Sequence, residues 1–109
     1  MEQFAKTPKP PYYAVIFTSV KNTEGLASYQ KISERMVELV REQEGFLGFD
    51  SAQSEIGITV SYWKDLNAIK NWKDNMEHLD AQKLGKEKFY NSYSVRIAKV
   101  EREYLYGKL

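Results

Sequence analysis

The chain has 109 residues, a length that suits one domain with one hydrophobic core. Its formal net charge of +1 provides no basic field to attract nucleic acid or an anionic membrane surface. The absence of cysteine excludes disulfides, thiolate chemistry and cysteine-ligated metals, and the single histidine excludes multi-histidine metal sites within one chain. Without a membrane-spanning apolar run or a signal-peptide pattern, the sequence predicts a cytoplasmic protein.

The first segment of the chain cannot join a helix or a sheet. Residues 1–11 end in Thr-Pro-Lys-Pro-Pro, and proline lacks the backbone donor that regular structure needs. We expect an extended, partly mobile arm, followed by a single domain over residues 12–109. Residues 12–20 are β-branched and aromatic, which predicts a strand with apolar side chains on both faces.

A long amphipathic helix is predicted next. Asn22 or Thr23 can cap it, and an apolar stripe at helical spacing continues to about Gln43. Gly45 is placed to end the helix in a left-handed conformation.

The second half of the chain repeats the alternation of strand and helix. Two strands are predicted over 46–53 and 56–63, joined closely enough to form a hairpin. Asp65 caps a second helix, and a long last strand is predicted over 93–106.

This order, β-α-β-β-α-β, predicts an α+β, ferredoxin-like domain. Right-handed crossovers place both helices on one face of a four-stranded antiparallel sheet and leave the other face bare. Because monomers rarely expose a broad apolar face, we expect a second copy of the chain to cover it in a homodimer. The last strand, ending in Tyr104-Leu105-Tyr106, is long enough to reach that copy.

No short catalytic motif is present, so the candidate chemical residues come from the second helix and the last strand. His78 is the only histidine, and it acts either as a surface residue or as a proton shuttle or haem ligand. Asn71 and Asn75 are either solvent-exposed or hydrogen-bond donors to a ligand. Arg96 lies inside the last strand and pairs with a carboxylate, an anionic ligand or a second copy. The candidate catalytic residues are therefore His78, Asn71 and Arg96.

Aromatic residues make up 14% of the chain, which favours a ligand pocket or a protein interface. Trp72 lies on the apolar stripe of the second helix, where it serves as core or as a flat pocket wall. Trp63, Tyr62 and Phe17 are the other candidate ligand contacts, and packing is the alternative role for each. No metal site is predicted.

Three stretches resemble the antibiotic biosynthesis monooxygenase (ABM) domain family, and the resemblance extends over roughly residues 12–106. They are Gly45-Phe46-Leu47-Gly48-Phe49, Ile58-Thr59-Val60-Ser61-Tyr62-Trp63-Lys64-Asp65 and Ala68-Ile69-Lys70-Asn71-Trp72. The resemblance implies a dimeric α+β barrel. It also implies one of two activities: oxidation of aromatic phenols by dioxygen without a metal or flavin, or degradation of haem.

The haem-degrading pattern matches only in part. Trp72 corresponds to its helical tryptophan, but Gln82 stands at the ligand position, with His78 one turn earlier. Ile16 and Phe17 stand where the pattern has an asparagine. We therefore expect a cofactor-independent monooxygenase that acts on a small aromatic or quinol-like molecule. The alternatives are a haem-binding or haem-degrading enzyme and a non-catalytic dimeric module that binds a small molecule.

Overall fold

The computed structural model describes residues 4–21, 26–83 and 90–107, with side chains over 4–20, 34–76 and 92–107. In this part of the chain six elements follow in the predicted order. They are β1 (Tyr12–Lys21), α1 (Leu26–Arg41), β2 (Phe46–Gln53), β3 (Gly57–Trp63), α2 (Leu66–Lys83) and β4 (Tyr90–Val100). The predicted caps Asn22 and Thr23 lie outside the described residues.

The four strands form one antiparallel sheet in the order β2-β3-β1-β4, so β1 is central and β2 and β4 are the edges. This arrangement confirms the predicted ferredoxin-like α+β fold. No helix in the described residues is both long and apolar enough to cross a membrane.

Both helices pack on the same side of the sheet, as predicted. Val40 of α1 and Ala68 and Ile69 of α2 form one buried cluster with Trp63, against which Tyr13 packs. Tyr13 pairs directly with Trp63, and directly paired residues point to the same side of a sheet. We call this side the helix face and the opposite side the far face.

Local geometry confirms the predicted start of the second helix and the predicted backbone conformation of Gly45. Gly45 has the left-handed φ of 88°, but α1 ends at Arg41, so this glycine lies in the turn before β2 and does not end the helix itself. Asp65 precedes α2, and its Oδ1 accepts a hydrogen bond of 2.8 Å from the Ala68 backbone N–H.

The prediction for the last strand was wrong at its C-terminal end. β4 stops at Val100 rather than at Tyr106. Val100 pairs with Tyr12, so any further residue of β4 would face Pro11 and then Pro10. Because proline has no N–H to donate to the ladder, the pairing ends there.

Candidate functional site

The centre of the helix face is a pair of tryptophans. Trp63 ends β3 and is fully buried, at 0% exposure, and its Nε1–H donates to Ser61 Oγ at 2.9 Å. Trp72 lies on the buried stripe of α2, one turn after Ala68, and is only partly buried. The two rings stack with centroids 6.2 Å apart and an interplanar angle of 29°. Trp72 therefore rests on a rigid support, and only Trp72 of the pair is available to a ligand.

An apolar surface remains open on the same face, along β4. Val95 and Ile97 are 50% and 53% exposed, and they pair with Phe17 and Val15 of β1. The Phe17 and Tyr93 rings lie 5.5 Å apart on the same face. The helices pack over the other half of the sheet, α1 on β2 and α2 on β3. We call Phe17, Tyr93, Val95 and Ile97 the apolar shelf.

The polar candidates on α2 are Asn71, Asn75 and His78. Asn71 is exposed and directly precedes Trp72. Asn75 is also exposed, and its Nδ2 donates to Gln43 Oε1 and to the Asn71 backbone oxygen, each at 3.2 Å. His78 lies on α2, but its side chain is outside the described residues.

The sheet separates two other candidates from Trp72. Tyr62 pairs with Ala14 and Arg96 pairs with Ile16, so both side chains are on the far face. Arg96 is exposed there, and its Nη1 donates to Ser94 Oγ at 3.1 Å. Within one protomer, neither residue can contact a ligand that lies beside Trp72.

The far face carries a hydrogen-bond network centred on Asp50. Its Oδ2 accepts from the Tyr62 hydroxyl at 2.8 Å, and its Oδ1 accepts from the Ala5 backbone N–H at 2.5 Å. Burial, followed by this bond to the Asp50 carboxylate, raises the pKa of Tyr62 to about 12. Tyr62 is therefore a neutral donor at physiological pH, with no capacity to act as a base.

A second group of bonds ties the arm to the chain beyond β4. The Thr7 hydroxyl donates to Tyr12 Oη at 2.8 Å, and the Tyr12 hydroxyl donates to Glu103 Oε1 at 2.8 Å. Burial of Tyr12 raises its pKa, and the Glu103 carboxylate adds to that effect while the bond from Thr7 opposes it. No sequence pattern singled out Asp50, Thr7 or Glu103 as functional residues. The available signal was Asp50, the one charged residue within β2.

Comparison with known protein families shows the family of this chain. The model of the family described as "Antibiotic biosynthesis monooxygenase" matches residues 11–84. The chain belongs to the antibiotic biosynthesis monooxygenase family. It is 48% identical over 108 residues to the uncharacterized protein YqjZ of Bacillus subtilis, covering 97% of this chain and 94% of that protein.

Solved structures place this ABM chain in the same fold group. Rv0793 of Mycobacterium tuberculosis matches with a TM-score of 0.70 at 14% identity, over 84% of this chain and 97% of that one. PA3566 of Pseudomonas aeruginosa matches with a TM-score of 0.64 at 19% identity, over 89% and 99%. At such identities these likenesses establish the fold alone, whereas the family-model match over residues 11–84 confirms the family resemblance seen in the sequence.

Among the described residues of this ABM domain, Trp72 fits the haem-degrading pattern and the first strand does not. Phe17, at the strand position where that pattern has an asparagine, packs its ring against Tyr93 on the helix face. Its neighbour Ile16 points to the far face, so it cannot take that role either. Gln82, at the ligand position, has a side chain outside the described residues.

Proposed function

We propose that this ABM-family protein is a monooxygenase that oxidises a small aromatic or quinol-like molecule without a resident cofactor. The observation that carries the proposal is that the helix face holds both the exposed apolar shelf and the supported ring of Trp72. A half-exposed apolar surface and an indole ring on one face suit a planar aromatic ligand, which gains contact area from apolar and aromatic side chains.

The reaction needs no cofactor when the substrate supplies all the electrons. A ring CH₂ activated by a neighbouring carbonyl loses a proton and reacts with dioxygen. The carbon becomes a carbonyl with one oxygen atom, and the other oxygen leaves as water. The protein must then bind the ring, hold it away from water and accept the first proton.

The polar residues of α2 take the proton-handling roles in this proposal. His78 is the base, because imidazole titrates near neutral pH. Asn71, next to Trp72, donates a hydrogen bond to the oxyanion that forms on proton loss. Trp63 acts on the ligand only through Trp72, which it supports from below.

The proposal includes a homodimer formed through the far face. Val20 and Ile58 are partly exposed apolar residues there, and a second sheet would remove them from water. Tyr62 and Arg96 then lie in or beside the dimer interface, and any part they play in the reaction would involve the second copy.

Oxygen uptake with anthrone as the probe tests the proposal. Anthrone gives anthraquinone and water with one dioxygen, and isotope-labelled dioxygen should leave one labelled atom in each product. Val95→Asp should lower kcat/KM by about tenfold or more, because it places a charge on the apolar shelf. Leu66→Ala is the matched control, since Leu66 is 54% exposed at the start of α2. Saturable binding of anthrone without oxygen uptake above the buffer rate would instead establish a binding module without chemistry.

A haem titration forms the second arm of the test. Because Gln82 stands at the ligand position and Phe17 at that of the strand asparagine, we expect no saturable shift of the Soret band. A sharp shift that is lost in His78→Ala would contradict the proposal and establish a haem site with a displaced ligand.

A further inference from the structure

A cleft of about 580 Å³ lies along the β2 edge of the sheet. It is opposite to the apolar shelf, because β2 and β4 are the two outer strands. Its volume is within the range of small-molecule sites. The residues that line it and bear on its chemistry are Phe4, Lys6, Arg41, Phe46, Phe49 and Asp50.

The N-terminal arm forms one wall of this cleft. The Ala5 backbone N–H is bonded to Asp50 Oδ1, which fixes the arm against β2. Gly48 of β2 lies beneath it, and a Cβ at that position would be 3.3 Å from Ala5 Cβ. The cleft therefore depends on the close approach of the arm to a residue without a side chain.

The charges in the cleft favour an anion. Arg41 places its Cζ 5.7 Å from the centroid of the Phe49 ring and is exposed. Among the described side chains the ion pair is Arg35 with Glu38, and Arg41 has no carboxylate partner. Lys6 adds a second cation, while the Asp50 carboxylate is already bonded to Ala5 and Tyr62. Two cations and one carboxylate leave the lining with a net charge of +1.

The apolar part of the cleft is aromatic. Phe46 and Phe49 lie on the helix side of β2 with ring centroids 6.3 Å apart. Phe46 is fixed from behind by Trp63, at 5.3 Å in an edge-to-face contact. A guanidinium held over one ring presents a planar fork of donors beside these apolar surfaces.

We propose that this cleft binds a small aromatic carboxylate. The ring of the ligand lies against Phe46 and Phe49, and its carboxylate accepts hydrogen bonds from the Arg41 guanidinium. The site is separate from the shelf on which the oxidised substrate is proposed to bind.

Arg41 lies in the last turn of α1, where any cation stabilises the helix. The test must therefore distinguish this effect on the helix from binding of the ligand. Arg41→Lys keeps the charge at the helix end but loses the planar fork, whereas Arg41→Gln loses both. Arg35→Gln is the matched control, because Arg35 is an exposed arginine of the same helix outside the cleft.

Amide NMR shifts during titration with 2-naphthoate provide the test. Saturable shifts are expected at Ala5, Gly48 and Phe49. The dissociation constant should rise by about fivefold or more in Arg41→Gln and by a smaller factor in Arg41→Lys. It should stay within about twofold in Arg35→Gln, and the neutral 2-naphthamide should bind more weakly than the carboxylate.

Three results would overturn the proposal. They are shifts confined to β4, an equal effect of Arg35→Gln and Arg41→Gln, and shifts at Gly48 that follow protein concentration without 2-naphthoate. The last would mean that a second copy occupies the cleft. Val95→Asp should leave the binding of 2-naphthoate unchanged, so failure here is distinguishable from failure of the proposed oxygenase activity.

Discussion

The two faces of the sheet differ in the balance of the forces that stabilise them. On the helix face, stacked and edge-to-face rings surround the fully buried Trp63, and shape complementarity dominates. On the far face, the buried Tyr12 makes an edge-to-face contact with Tyr62, and the Asp50 carboxylate joins Tyr62 and the arm through partly exposed hydrogen bonds. Buried apolar contacts contribute several kcal/mol per large side chain, whereas a typical hydrogen bond contributes about 1 kcal/mol net.

This difference indicates that the two faces of the sheet have different roles in the domain. The helix face holds the fully buried Trp63 and supports the ring of Trp72. The far face holds the N-terminal arm against β2 through Asp50, and the arm forms one wall of the cleft on the β2 edge. Substitutions on the two faces should therefore separate into large global effects and small local ones.

The largest expected effect is that of Trp63→Ala. Removal of a fully buried indole should lower the free energy of unfolding by about 3–5 kcal/mol, because a cavity remains where Phe46, Ser61 and Trp72 made contact. Urea denaturation followed by circular dichroism measures it. Trp72→Ala is the comparison, and its cost should be smaller because Trp72 is only partly buried. An equal loss in both variants would contradict the view that Trp63 is the structural member of the pair.

The second largest loss of stability is expected for a substitution of Gly45, which lies beside Ala68 of α2. Gly45→Ala should cost about 1–3 kcal/mol, because a Cβ at its φ of 88° would lie 2.6 Å from Ala68 Cβ. Gly107→Ala is the matched control, with a φ of 102° and no atom within 4 Å of the new Cβ. Thermal unfolding of both variants separates the two causes, because Gly107→Ala has only the conformational strain and Gly45→Ala has the steric contact as well. Similar losses would mean that the contact with Ala68 is relieved by a small shift of α2.

A pH test addresses the far face. The pKa of Tyr62 is raised to about 12 from the ordinary value of 10.0, so the folded state favours the neutral phenol. The stabilisation is complete below pH 10 and declines as the pH rises from 10 towards 12. Absorbance of tyrosinate at alkaline pH should therefore show one fewer late-titrating group in Tyr62→Phe. The same titration profile in both proteins would contradict the role of Asp50 in holding the proton.

The fold could be predicted from the sequence because the capping residues and the apolar periodicity indicated the same elements. The cap at Asp65, the glycine turn at Gly45 and the apolar stripes of the helices all predicted the elements that the structure contains. The last strand was predicted too long because residues 101–106 have strand composition, while the limit on pairing is set by Pro10 and Pro11 in a distant segment. Local composition carries no information about that partner.

The candidate site was harder to predict for a geometric reason. Tyr62 and Trp63 are adjacent in sequence, but strand alternation places them on opposite faces of the sheet. Trp72 was correctly identified as a stripe residue, whereas the shelf residues Val95 and Ile97 were not singled out. Their exposure depends on where the helices end over the sheet, and helical periodicity does not specify that.

The smallest expected effect concerns the hold of Asp50 on the arm. Asp50→Ala removes the acceptor for the Ala5 N–H, so the Ala5 amide should exchange with water faster by about tenfold. The free energy of unfolding should fall by only about 1 kcal/mol, because the network is partly exposed. Tyr62→Phe is the control, since it removes the neighbouring bond to Asp50 and leaves the bond to Ala5 in place. Solvent-exchange NMR measures the amide, and urea denaturation measures the global effect. If Asp50→Ala destabilised the domain as much as Trp63→Ala, the arm would be part of the core and the distinction between the two faces would fail. If the Ala5 amide exchanged at the wild-type rate instead, the arm would be held by contacts other than Asp50.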